Sequence, residues 1–156
     1  MDALDLVVAA IGVWLALGLL GLVRSRHLPY ISHVLFPVGG AVGLALAAVA
    51  LAAMDAPPQA LVLPLGLPDL PFHLRLDALS AFFLVLLGAT GAAVSVYSAG
   101  YFRASDGTAP GVVCCQYHAF LAAMALVLVA DDAYLFMVAW ESMALASYFL
   151  VTTEHR

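Results

Sequence analysis

The stretch Asp131-Asp132-Ala133-Tyr134-Leu135-Phe136-Met137-Val138-Ala139-Trp140-Glu141-Ser142-Met143-Ala144-Leu145-Ala146-Ser147-Tyr148-Phe149-Leu150-Val151 decides the fold. From Ala133 to Val151 it is long and apolar enough to cross the roughly 30 Å hydrocarbon core of a bilayer as one helix. Two aspartates precede it, and a single carboxylate, Glu141, interrupts it near its middle.

Working outward, four more such runs appear: residues 4–23, 31–53, 79–102 and 112–130. The whole chain follows the same rule. Of its 156 residues 65% are hydrophobic and 10% charged, against about 25% charged in ordinary soluble domains. One soluble core of this length could not hide so much apolar surface. All the basic residues are arginines (Arg24, Arg26, Arg75, Arg103, Arg156), and the formal net charge is −5. That balance excludes a nucleic-acid binder, which needs a basic surface. The sequence therefore predicts an all-α integral membrane protein of five transmembrane helices, a single domain over residues 1–156, multi-pass in the plasma (inner) membrane. Its first span lacks the positive start of a signal peptide.

The charges between the spans segregate. With the N-terminus outside, Arg24, Arg26, Arg103 and Arg156 lie inside and only Arg75 outside. The positive-inside rule then gives an N-out, C-in orientation. The longest connection carries Pro57, Pro58, Pro64, Pro68 and Pro71, so it is not a helix. Alternation on both sides of Pro68-Asp69 predicts a short extracytoplasmic β-hairpin over about residues 61–76, lying on the helix ends. Gly39, Gly43 and Ala47 in the second span, and Ala92, Ser95 and Ala99 in the third, form small-residue faces where helices approach closely.

Glu141 is the costly residue. At 1.5 Å per residue it lies about 12–15 Å from either end of its helix. A charged carboxylate there costs roughly 2.5–3.5 kcal/mol on insertion scales. Such an acid serves a proton relay, an ion site or a structural ion pair, or it only fixes packing through hydrogen bonds. Tyr148 falls near its helix face, within reach as a donor, and Trp140 is placed to anchor the helix against a neighbour. His118 interrupts the fourth span beside Gln116 and Tyr117. It reads either as a proton carrier or as an imidazole bonded to a backbone carbonyl. Asp131 and Asp132 read as helix caps or as a point of ion entry or exit. Cys114 and Cys115 have no partner pair and read as small apolar residues at a helix start. No catalytic, metal-binding or cofactor-binding motif is present.

The quoted stretch, with its Trp140-Glu141 followed by Ala146-Ser147-Tyr148-Phe149-Leu150-Val151, resembles the fifth transmembrane helix of the proton-conducting antiporter-like subunits. These occur in respiratory NADH–quinone oxidoreductase, in Mrp sodium/proton antiporters and in membrane-bound [NiFe] hydrogenases. The nearest resemblance is to the hydrogenase-4 component B and formate hydrogenlyase subunit 3 branch. Leu76-Asp77-Ala78-Leu79-Ser80-Ala81-Phe82-Phe83 looks like the start of that family's third helix, and Tyr97-Ser98-Ala99-Gly100-Tyr101 like its end. The resemblance implies proton (or sodium) translocation coupled to a redox complex, with no redox chemistry and no cofactor in this chain. It implies other membrane subunits of a hydrogenase or respiratory complex, and the lipid bilayer, as partners. It makes Glu141 the main proton-translocating residue; His118 and Tyr148 are secondary candidates on their own chemistry, and Asp131 and Asp132 are either an ion entry or exit or helix caps. In the family that glutamate pairs with a lysine on a later helix. This chain has no lysine, and family members are far longer, so the expectation is an N-terminal fragment of such a subunit. The alternative is a non-conducting structural or assembly piece of the same complex.

Overall fold

The computed structural model describes residues 2–101 and 108–153. Five helices are long and apolar enough to span a membrane: α1 (Ala3–Val23), α2 (Leu28–Ala53), α3 (Ala78–Tyr101), α4 (Pro110–Val129) and α5 (Ala133–Thr152). Between α2 and α3 lies an antiparallel hairpin of β1 (Gln59–Leu67) and β2 (Leu70–Leu76). Arg103 and Arg156, counted in the charge asymmetry, and Phe102, the expected end of the third span, fall outside the described residues.

Two spans begin earlier than the hydrophobic runs indicate, and prolines explain both. Pro29 and Pro110 each sit in the first turn of their helix, where a missing N–H costs nothing. At the start of α2 the Tyr30 N–H donates to His27 Nδ1 (3.2 Å). A third proline, Pro37, lies inside α2. It cannot donate to the His33 carbonyl, and its ring crowds that turn. The helix widens just ahead of it into a π turn, Ile31–Leu35, closed by Phe36 N–H to the Ile31 carbonyl.

The helices alternate up and down. One end of the bundle carries the N-terminus, the hairpin and the α4–α5 turn. There the Leu4 N–H donates to Gln59 Oε1 (2.9 Å) and Ala130 bridges to Leu74. The other end carries the α1–α2 turn and the start of α4, joined by Gly111 N–H to the Ser25 carbonyl (2.8 Å). The aspartates Asp2, Asp55, Asp69, Asp77, Asp131 and Asp132 thus share the hairpin end, and Arg24 and Arg26 the opposite end. The hairpin lies on the helix ends as expected, with Leu74 and Leu76 turned into the core. Its register shifts between Leu63 and Gly66, next to Pro64, which cannot donate to a ladder. Gly66 takes φ +109°, with the Leu70 carbonyl and then the Phe72 ring where a side chain would stand, so only glycine serves there.

α4 packs against α1 on one flank and α5 on the other; α2 packs against α3 and α1, and α3 closes onto α4. The contacts are made by small residues. A Cβ on Gly43 would come 2.8 Å from the Gly88 carbonyl oxygen, and Gly40 faces Ala92 and Ser95. The α2–α3 seam is therefore Gly40, Gly43 and Ala47 against Gly88, Ala92 and Ser95. This corrects the expected face in one position: Gly39 is turned to α4, against His118. The α1–α4 seam brings Gly21 against Gly111, and Gly18 against the Cys115 backbone.

These seams yield a paired prediction. Gly111→Val puts its branches onto the Gly21 and Ser25 backbones, and should destabilise the bundle by more than the roughly 1–3 kcal/mol typical of overpacking. Gly12→Val, at a position with nothing within 4 Å, should leave thermal unfolding in detergent unchanged. Equal melting of the two variants would refute the seam.

Candidate functional site

The residues singled out in the sequence lie in three separate places. Glu141 sits on α5, whose buried residues are Leu135, Ala139 and Ala146. Leu135, Ala139 and Ser142 face Ala119, Ala122, Ala123 and Leu126 of α4. Glu141 follows Ala139 by two residues, more than half a turn around, so it points away from the bundle. Its carboxylate is exposed and makes no hydrogen bond or ion pair with the described residues. Met137, Leu145 and Tyr148 share this outer face and are each more than half exposed. Tyr148 packs edge-on against Phe149, and no hydrogen bond joins it to Glu141. Trp140 stacks on Phe136 and lines, with Met143, an apolar groove of about 330 Å³ against α3 and α4. It is half exposed there, so its part is in that groove.

His118 is on the opposite side of the α4–α5 pair. Because α4 starts at Pro110, it lies eight residues in, about 12 Å from the arginine end and deeper than the sequence run implied. The ring is wholly buried among α1, α2 and α4. Nδ1 donates to the Cys114 carbonyl (2.8 Å), one turn back on the same helix, with Cys114 Sγ 3.4 Å away. The Phe36 and Tyr117 rings flank it at 5.8 and 5.3 Å between centroids. Nε2 is buried without a hydrogen-bond partner and abuts Gly39. His118 and Glu141 are therefore not brought together: one faces the bundle interior, the other leaves it.

The sequence does not mark the polar layer around His118. Tyr117 donates to the Gly91 carbonyl (2.8 Å) and lies 3.1 Å from the Ser95 hydroxyl. Trp14 Nε1 donates to the Gly39 carbonyl (3.1 Å). Each group alone reads as an ordinary interruption of an apolar run. Only the packing of four helices puts them at one level.

Asp131 and Asp132 sit at the hairpin end. Asp132 caps α5 by accepting from Leu135 N–H (2.7 Å) and also accepts from His73 N–H (2.9 Å). His73 Nδ1 lies 3.4 Å from the same carboxylate. Asp131 donates its N–H to the His73 carbonyl (2.9 Å), and its side chain lies 3.9 Å from Arg75. The last is a half-exposed pair worth little. The aspartates thus latch the hairpin to the start of α5. The signal in the sequence was the outward face of β2, His73 and Arg75, at period two from buried Leu74 and Leu76. Among the described residues, no group of three or more His, Cys, Asp or Glu is placed to hold a metal ion.

No family model matches the chain. Individual proteins do. An uncharacterized protein of Mycobacterium tuberculosis is 40% identical over 119 residues, covering 76% of this chain and 18% of its own length. Hydrogenase-4 component B of Escherichia coli is 34% identical over 162 residues, 97% of this chain and 23% of that protein. The chain belongs to the family of membrane antiporter-like subunits. Subunit L of NADH-quinone oxidoreductase from Mycobacterium tuberculosis is 37% identical over 89 residues, 57% of this chain and 14% of its own length. This antiporter-like chain spans less than a quarter of the length of these curated relatives. With its five apolar spans it is a multi-pass membrane protein.

The latch has a pH sign. Leu135 N–H first, then the hydrogen bonds from His73, hold the Asp132 carboxyl below its ordinary value of 3.8. A carboxylate so depressed contributes its stabilisation fully above that ordinary value and loses it as pH falls through the lowered one. Protease cleavage within residues 59–76 should therefore be slow at neutral pH and faster in acid. Asp132→Ala should lose about 1 kcal/mol of cap stability and cleave fast at neutral pH. Cleavage unchanged by Asp132→Ala would refute the latch.

Proposed function

We propose that this antiporter-like chain is a membrane subunit of a redox complex of the hydrogenase-4 or NADH–quinone oxidoreductase kind. In that complex it contributes to proton translocation, with Glu141 as the proton-carrying acid. The observation that carries the reading is the position of Glu141: mid-depth in a membrane-spanning helix and turned out of the bundle. Lipid solvates a carboxylate badly, so the group is either protonated or covered by donors or a cation. Moving such a cover nearer or farther shifts the acid between ionised and protonated, and that is how a buried acid passes a proton on. No arginine of the described residues lies on the α5 outer face, so the cover comes from further membrane helices packed against it. Tyr148, two turns along the same face, is the secondary candidate in that interface. Asp131 and Asp132, at the mouth of α5, are placed where an ion would enter or leave. The relatives' names, component B of a hydrogenase and subunit L of an oxidoreductase, support the redox-coupled setting.

Glu141→Gln keeps the side chain's size and removes its proton. In the assembled complex it should cut proton pumping by at least tenfold, about 1.4 kcal/mol, with assembly and electron transfer retained. Normal pumping would overturn the proton site. Lost assembly with no change in pumping per complex would favour the purely structural reading.

The orientation follows from the charges: arginine-bearing connections inside, the hairpin end outside. A cysteine introduced at Asp131 should react with an impermeant maleimide added outside intact cells. Labelling only in inverted vesicles would reverse the topology.

A further inference from the structure

We propose that His118 is a second proton-binding site, separate from Glu141, whose protonation forces α2 away from α4 at Gly39. The inference stands on the geometry of the bundle interior, whether or not Glu141 carries protons.

The tautomer follows from the hydrogen bond. The Cys114 carbonyl can only accept, so Nδ1 carries the hydrogen of the neutral ring. Nε2 then holds a lone pair, buried and unmatched by any donor. An unpaired buried acceptor costs roughly 1–3 kcal/mol. The seat has no room to meet that cost with solvent. A Cβ added to Gly39 would overlap Nε2, so a water, larger than a methyl hydrogen, does not fit between them. The proton is the one ligand small enough to enter.

Adding it turns Nε2 from acceptor to donor. Nothing facing the ring accepts that hydrogen in place. α1 offers the Gly18 backbone and the Trp14 indole, which is a donor already bonded to the Gly39 carbonyl. α2 offers Gly39 and the Phe36 ring. On the α3 side, the Ser95 hydroxyl is taken up with Tyr117. On α4 itself the titratable neighbours are Cys114 and Tyr117, both neutral by their ordinary values near pH 7. Among the described residues no carboxylate faces the ring. The new N–H and its hydration therefore require α2 to move back.

α2 is built to do so. The π turn Ile31–Leu35 lies immediately before Phe36 and one turn before Gly39. Helix bends concentrate at such widened turns. α2 meets α4 here through Gly39 and the Phe36 ring, whose centroid lies 5.6 Å from that of Tyr117 and 5.8 Å from that of His118, so a shift at the π turn carries Phe36 off both rings together.

Cys114 reports the movement, because its buried thiol touches the His118 ring. The test uses membranes containing the chain with its native partners, in a Cys115→Ala background. The probe is dithiodipyridine, an uncharged disulfide small enough to enter an opened seam. The rate at Cys114 is divided by the rate at Gly12→Cys, a lipid-facing position with nothing within 4 Å, to remove the intrinsic chemistry of thiols. Between about pH 8 and about pH 4, a range that reaches well below an ordinary imidazole, this ratio should rise several-fold. The rise should vanish in His118→Gln. If His118→Gln does not reach the membrane, the ratio in the unsubstituted protein still decides. A ratio that is flat with pH, or a rise that persists in His118→Gln, overturns the proposal. Glu141→Gln should leave the ratio's pH profile unchanged, which separates this site from the one proposed above.

Discussion

Lipid gives apolar helices no reason to leave it for one another, so this bundle depends on how closely its backbones approach. Gly43 meets Gly88, Gly21 meets Gly111, and Gly39 meets His118. At each place a methyl group would strike backbone or ring. Dispersion summed over such close contacts, with the internal hydrogen bonds, replaces the hydrophobic drive that holds soluble cores together. The helix order, the level of the polar layer and the outward aspect of α5 all follow from which seams close.

The two polar features that matter most are divided by one pair of helices. His118 is sealed inside, its Nδ1 bonded within its own helix and its Nε2 against a glycine. Glu141 is turned out on the helix with the least buried share of the five. A titratable group inside a closed seam couples proton occupancy to packing. An acid on an open face couples it to whatever packs there next.

The hairpin links these parts to the water-exposed end. It buries Leu74 and Leu76 beneath it, ties to α1 through Gln59 and is latched to the start of α5 by Asp132. The helix carrying Glu141 is thus capped by Asp132, which is itself held by His73 of the hairpin, far earlier in the chain.

The sequence by itself determined the five spans and the hairpin, because length, hydrophobicity and period-two alternation are local properties that lipid and backbone hydrogen bonding enforce. It also marked Glu141, since a carboxylate in an apolar run is costly wherever the helix packs. Span starts at Pro29 and Pro110 were missed by a few residues, because a hydrophobic run does not register a proline that sits harmlessly in a first turn. Direction was beyond it. Whether Glu141 faces in or out, whether Gly39 belongs to α3 or to His118, and that Trp14, Tyr117 and Ser95 share one level are settled by interhelical rotation. Rotation is fixed by small-residue contacts between segments far apart in the chain, and an all-round apolar helix carries no stripe from which to read it.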